Sequence, residues 1–172
     1  WRRVGMEQWF ALIGSEAGGE GVTLQSLVRF TDSRSFNQTE YIVLAGLASH
    51  PDGDQAVLKV VWERVPGAFI PVGRLNLEAG SGLSFPAGTS RTPLVAYVPS
   101  PGDVLETVLS YSRDLGVVDV LVVNRTSEAT VYAGSLQLEG RAGSLYPFVM
   151  AAAGDVGTSI DDLIAVDGLA VG

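Results

Sequence analysis

Between residues 22 and 152 the chain is a succession of short, β-branched-rich runs, each cut off by Gly, Pro, Ser, Asp or Asn. Val22, Leu24, Ser26, Val28 and Phe30 share one parity, against Thr23, Gln25 and Arg29 on the other. Ala56, Leu58, Val60 and Trp62 alternate with Gln55, Lys59 and Glu63, and Tyr132, Leu136 and Leu138 with Ser135, Gln137 and Glu139. A period of two puts one side of each run in a core and the other in solvent, the signature of a half-buried strand. Residues 41–48 and 117–123 are apolar on both parities, which predicts strands that sit centrally or beneath another layer. The breakers recur regularly: Pro51-Asp52-Gly53-Asp54, Val65-Pro66-Gly67, Gly80-Ser81-Gly82, Pro99-Ser100-Pro101-Gly102, Asn124-Arg125-Thr126 and Gly140 to Gly143. This spacing predicts an all-β chain, an antiparallel sandwich or barrel of about eight strands.

Two segments depart from that pattern. Asp103 followed by Glu106 imitates a capping box, and Val104, Leu105, Val108 and Leu109 fit a helical face as well as a strand; β-branching favours the strand. At the N-terminus Met6, Trp9, Phe10 and Ile13 follow the i, i+3, i+4, i+7 spacing of a short amphipathic helix or arm closed by Gly14. The tail beyond Asp161 is apolar and glycine-rich (Leu163, Ile164, Val166, Leu169, Val171), unlike the polar ends that usually fray. The expected layout over 172 residues is one domain: an N-terminal arm at 1–20, a sandwich at 21–153 and an apolar C-terminal arm at 154–172. A chain of that length buries roughly 70% of its unfolded surface and needs no disulfide staple, in keeping with zero cysteines. The chain opens on Trp1 with no initiator methionine, as a trimmed or renumbered chain would. Glu7 and Gln8 interrupt what would have to be an apolar stretch for the opening Arg pair to start a secretory signal.

The composition narrows function mostly by exclusion. A formal charge of −8 argues against nucleic acid as the main partner, and no apolar run reaches the ~20 residues of a membrane-spanning helix. Lys59 is the only lysine beside ten arginines, a skew that suits either a heat-adapted surface or a GC-rich genome. His50 is the only histidine and lies in the turn sequence Ser49-His50-Pro51-Asp52, so neither a multi-histidine metal site nor a Ser-His-Asp arrangement is expected. Asp52-Gly53-Asp54 reads as a turn, with calcium as the alternative, although the remaining ligands of a Ca²⁺ loop are missing. Asp161-Asp162 is an equally weak metal pair. Asp119 interrupts the apolar run 117–123 and is expected at an edge or interface, paired with an arginine; a tuned catalytic acid is the alternative. The two N-x-T sequons, at Asn37 and Asn124, read as chance matches. Trp62 is expected in the core, whereas Trp1, Trp9 and Phe10 fit a sugar-stacking or membrane-touching role less economically than an arm docked on a neighbouring subunit. No catalytic residue, metal or cofactor is expected.

In its size, in its opening Trp1-Arg2-Arg3-Val4-Gly5-Met6-Glu7-Gln8-Trp9-Phe10 and in the strand layout running to an apolar end, the chain resembles the smaller major capsid protein of tailless icosahedral phages of thermophiles, which enclose an internal membrane. The resemblance implies a single jelly roll in a virion shell, made in the host cytoplasm. It would pack with copies of itself and a larger capsid protein, near the viral membrane, with no nucleic acid or small-molecule substrate. It also implies subunit contacts through the terminal segments, with Trp9, Phe10, Ile13, Leu163 and Ile164 as interface anchors. The alternatives are a carbohydrate-binding, lectin-like sandwich, which would gather aromatic and polar residues on one sheet face or loop cluster, and a phage decoration or tail-fibre domain. A hydrolase comes last.

Overall fold

The computed structural model describes the backbone of residues 2–5, 8–12, 16–17, 20–31, 40–51, 55–65, 72–153 and 164–172, and the side chains at these positions except 2–12, 65, 153 and 169. The chain is an antiparallel β-sandwich of jelly-roll type. Its strands are β1 (Arg2–Gly5), β2 (Gln8–Leu12), β3 (Gly21–Phe30), β4 (Glu40–Ala48), β5 (Ala56–Val65), β6 (Val72–Ala79), β7 (Leu83–Ser84), β8 (Arg91–Ala96), β9 (Val104–Ser112), β10 (Val117–Asn124), β11 (Ala129–Gln137), β12 (Glu139–Gly140), β13 (Tyr146–Ala153) and β14 (Ile164–Val171). A seven-stranded sheet runs β1-β2-β13-β4-β5-β6-β8, a five-stranded sheet runs β11-β10-β9-β3-β14, and β12 and β7 form a small ribbon.

The inward parity of each strand builds one core between the two large sheets. Leu24, Val28 and Phe30 of β3, Leu105 and Leu109 of β9 and Val118, Val120 and Val122 of β10 meet Ile42, Leu44, Val60, Trp62, Leu75 and Leu77 from the other sheet. Trp62 is fully buried as expected. It stands edge-on to Phe30 with ring centroids 5.1 Å apart, and its indole N–H donates to the Tyr97 carbonyl at 2.9 Å. That bond satisfies the one polar group that burying a tryptophan would otherwise orphan. Ser26 enters the core and donates to the Leu44 carbonyl at 2.5 Å across the sandwich, while the neighbouring Thr107 hydroxyl has no partner. Glu40 and Arg64, opposite each other on β4 and β5, form a buried ion pair at 3.1 Å.

Three expectations need correction. The N-terminal segment read as a helix or arm is two strands over 2–5 and 8–12. Its aromatic residues suit a pleated surface, and pairing of β2 with β13 supplies the ladder bonds a lone helix would make internally. The apolar tail is also a strand, because β14 pairs along β3 from Ile164 opposite Phe30 to Val171 opposite Leu24. Strand β4 is central and buried on both sides, as residues 41–48 led one to expect. Strand β10 is not covered: it lies next to the edge strand β11, and Asp119 and Leu121 face outward and exposed. The ambiguous segment is strand from Val104 onward, in β9. Asp103 accepts a hydrogen bond from the Ser100 backbone N–H at 2.8 Å, tightening a turn rather than capping a helix.

Candidate functional site

The outward side of the seven-stranded sheet carries the densest polar network among the described residues, and register explains its layout. Successive rows across β4, β5, β6 and β8 hold Tyr41, Glu63, Arg74 and Ala96, then Val43, Val61, Asn76 and Pro93, then Gly46, Lys59, Glu78 and Arg91. Lys59 donates to the Tyr41 hydroxyl at 2.7 Å, and that hydroxyl donates to Glu78 at 2.6 Å. Lys59 also pairs with Glu78 at 3.0 Å. Glu63 accepts from Arg74 at 2.7 Å and also from Arg91. The Arg91–Glu63 pair therefore joins the first row to the third and passes over the middle one.

Two consequences follow from that span. Asn76, in the middle row, is only 1% exposed, and its Nδ2 has no hydrogen-bond partner. An orphaned buried amide donor costs of order 1–3 kcal/mol, so the position works against stability as it stands. The network also holds three cationic side chains against two carboxylates, a locally positive patch on a chain of net charge −8. Val43 and Val61 of the middle row belong to a small buried apolar cluster with Ala48 and Phe148, edged by Tyr41, Ala56 and Met150. Phe148 lies flat over Gly46, where a Cβ would come within 2.6 Å of its ring, so the glycine makes room for the aromatic.

The ionisation of the network is set by its packing. Burial pushes the Tyr41 phenol far above its ordinary value, and the Glu78 hydrogen bond and charge add to that. Burial alone would raise the Glu78 carboxyl. The hydrogen bonds from Tyr41 and Lys59, with the charges of Lys59 and Arg91, outweigh it and hold the group below the usual carboxylate range. A phenol so strongly held in its protonated form is a hydrogen-bond donor and not a base near neutral pH. A second concavity, a cleft of about 550 Å³, lies at the β9–β10 turn between Tyr111, Arg113, Gln137 and Arg141.

The residues singled out from sequence fall elsewhere. His50 is exposed in the turn after β4. Asp119 is exposed on β10 and accepts from the Ser135 hydroxyl, where an arginine partner was expected. Asn124 is nearly buried: its amide donates to Tyr97 and Asp103, and its carbonyl accepts from the Thr126 and Ser127 N–H groups, so it closes the β10–β11 turn and is no open sequon. Among the described residues no group of three or more His, Cys, Asp or Glu side chains could hold a metal; Asn37, Asp52, Asp54, Asp161 and Asp162 lie outside them. The backbone of Trp9 and Phe10 lies in β2, in register with Ala151 and Met150; their side chains, and Ile13 and Leu163, lie outside the described residues. Ile164 is 1% exposed, packed into the core of its own chain and not standing on an open surface. Sequence reading missed Tyr41, Glu63, Arg74, Asn76, Glu78 and Arg91 as a group; the one available signal was the polar parity of residues 55–63, which held Lys59 and Glu63.

No protein-family model matches the chain, and no curated protein matches it. Solved structures do. A legume lectin-like domain from Entamoeba histolytica superposes with a TM-score of 0.54 at 8% identity, over 95% of this chain and 77% of that one. An alginate lyase from Pseudomonas aeruginosa gives 0.52 at 17% identity over 89% of this chain. The chain spans 64% of that lyase's length. The CBM2 module of the evolved Dit of Lactobacillus casei BL23 phage J-1 gives 0.50 at 11% identity, over 95% of this chain and 64% of that module's chain. At these identities the likeness is one of fold.

Proposed function

We infer that the protein is a carbohydrate-binding β-sandwich that holds a glycan across the outward side of its seven-stranded sheet, without catalysis. The observation that carries this reading is Asn76: a buried amide donor with no partner, in the row between the two that the Arg91–Glu63 pair joins. A sugar offers what this arrangement lacks, hydroxyl and ring oxygens that accept from an amide and from guanidinium groups. Arg74 and Arg91 are half-exposed and able to turn from Glu63 toward a ligand. The lectin-like and carbohydrate-binding modules that share the fold support the same reading.

Two features support binding without turnover. The only histidine stands apart in a turn, and the Tyr41 phenol is held protonated. Affinity electrophoresis through gels containing neutral or uronate-rich polysaccharides tests the assignment. Wild type should be retarded by at least one of them, and Arg91→Ala should run freely while Asp119→Asn, on the opposite sheet, stays retarded. Equal retardation of all three proteins, or of none, overturns it. A second reading is the virion shell subunit implied by the resemblance in size, opening sequence and strand layout. A shell subunit would assemble with no glycan contribution and would leave all three proteins unretarded.

A further inference from the structure

Among the described residues, every cationic side chain except Arg113 and Arg141 has a carboxylate partner. Arg29 pairs with Asp167, Lys59 with Glu78, Arg64 with Glu40, Arg74 and Arg91 with Glu63, and Arg125 with Glu106. In a chain with 19 Asp and Glu against 11 Lys and Arg, carboxylates are in excess, so two guanidinium groups left without one run against the balance of charge. Both line the same cleft, the one of about 550 Å³ at the β9–β10 turn.

The backbone around this cleft is fixed. The Gln137 amide donates to the carbonyls of Leu115 and Gly116 at 3.1 and 3.0 Å, tying the turn to the end of β11, and the Leu138 N–H adds a bond to the Gly116 carbonyl at 2.7 Å. Strand β12, which leads into Arg141, is paired with β7, and Gly140 lies so close to the Gly82 carbonyl that no Cβ would fit between them. The arginine side chains are held much less. The Arg113 Nη2 reaches the Ala17 carbonyl only at 3.4 Å, its Nε is buried with no partner, and Arg141 is exposed. A guanidinium with so few bonds to give up turns readily to an acceptor brought by a ligand. Asp114 is the single carboxylate in the lining. Burial lifts the Tyr111 phenol above its ordinary value, against the pull of the Arg113 charge, so the phenol is neutral. Two guanidinium groups against one carboxylate leave a single net positive charge, which suits a monoanion better than a dianion.

We propose that this cleft binds a small ligand by its carboxylate, through Arg113 and Arg141. The planar fork of a guanidinium matches the two oxygens of a carboxylate, and the volume suits a small molecule. Leu115, 70% exposed in the same lining, offers apolar surface to the body of the ligand. The cleft shares no residue with the polar rows of the seven-stranded sheet, and the inference is independent of what that face binds.

Titration of isotope-labelled protein, followed by the NMR signals of its arginine Nε–H groups, tests it. Sodium glucuronate and sodium butyrate are the carboxylate probes, glucose is the neutral control and inorganic phosphate the more highly charged anion. At least one carboxylate should shift the Arg113 and Arg141 signals saturably and more tightly than phosphate, while glucose leaves them in place. Whichever carboxylate binds more tightly distinguishes an acidic sugar from an aliphatic acid as the source. Arg141→Gln should weaken that probe roughly tenfold or more with an unchanged melting curve. Arg29→Gln, which removes the same charge from an arginine paired with Asp167, should bind it as wild type does. If Arg141→Gln lowers the melting curve, Arg113→Lys, which keeps the charge and loses the fork, replaces it with the same expectation. No saturable shift with either carboxylate, binding that the cleft variant leaves intact, equal weakening in Arg29→Gln, or tighter binding of phosphate would each overturn the proposal.

Discussion

The ion pair between Glu40 and Arg64 offers a sharp test of how the sandwich is held. The two residues face each other in register at the start of β4 and the end of β5, 3.1 Å apart, with 1% and 2% of their side chains exposed. At that distance an effective dielectric of about 20 gives an attraction of about 5 kcal/mol, most of which is offset by the cost of drying both charges. Breaking the pair differs from replacing it. Arg64→Met leaves a carboxylate buried beside an apolar side chain and should cost about 3–5 kcal/mol. For a chain of this size that lowers the melting temperature by roughly 6–20 °C. The double variant Glu40→Leu/Arg64→Met removes both charges and should return to within about 1 kcal/mol of wild type. Urea unfolding followed by tryptophan fluorescence reads both, the midpoint moving while the slope stays constant. A single variant costing under about 1 kcal/mol, or a double variant as unstable as the single, would refute the reasoning.

Three further outcomes follow from the same geometry. Thr107→Val exchanges a buried hydroxyl without a partner for a methyl group of nearly the same shape and should raise stability by about 1 kcal/mol in the same urea assay. Gly73→Ala should destabilise by roughly 1–3 kcal/mol, because the new Cβ would lie 2.5 Å from the backbone oxygen of Tyr97, which cannot turn aside, and 3.1 Å from Trp62. The Glu78 carboxyl titrates lower when folded than when unfolded, so its contribution is present above the unfolded value of about 4.3 and is lost as pH falls through the folded one. Glu78→Gln should accordingly flatten the acid limb of a melting-temperature-against-pH curve and leave its neutral plateau lower.

The sandwich was legible because period-two alternation is a local property: the inward parities of β3 and β5 can be read residue by residue, as can the turns between strands. The exposed side of β10 was not. Val117, Leu121 and Val123 look like residues beneath a second layer, and only strand order shows that the neighbour is an edge. The terminal strands misled because Met6, Trp9, Phe10 and Ile13 happen to satisfy a helical period, while the partner that fixes Gln8–Leu12 as a strand lies at Tyr146–Ala153. The candidate site was invisible for the same reason. Tyr41, Lys59, Asn76 and Arg91 are far apart along the chain, and each is an ordinary outward residue of its own strand until register sets them in adjacent rows. A lone Asn between Leu75 and Leu77 reads as a solvent-facing position, and nothing local says that it will be buried with its amide unpartnered.

The most direct test of glycan binding by this face is to measure stability and retention together on Asn76→Leu. If the unpartnered amide is kept for a ligand, the substitution should raise the urea midpoint by the equivalent of about 1 kcal/mol while abolishing retardation in the polysaccharide gel that slows wild type. A variant that is retarded as strongly as wild type would contradict the account, whatever its stability.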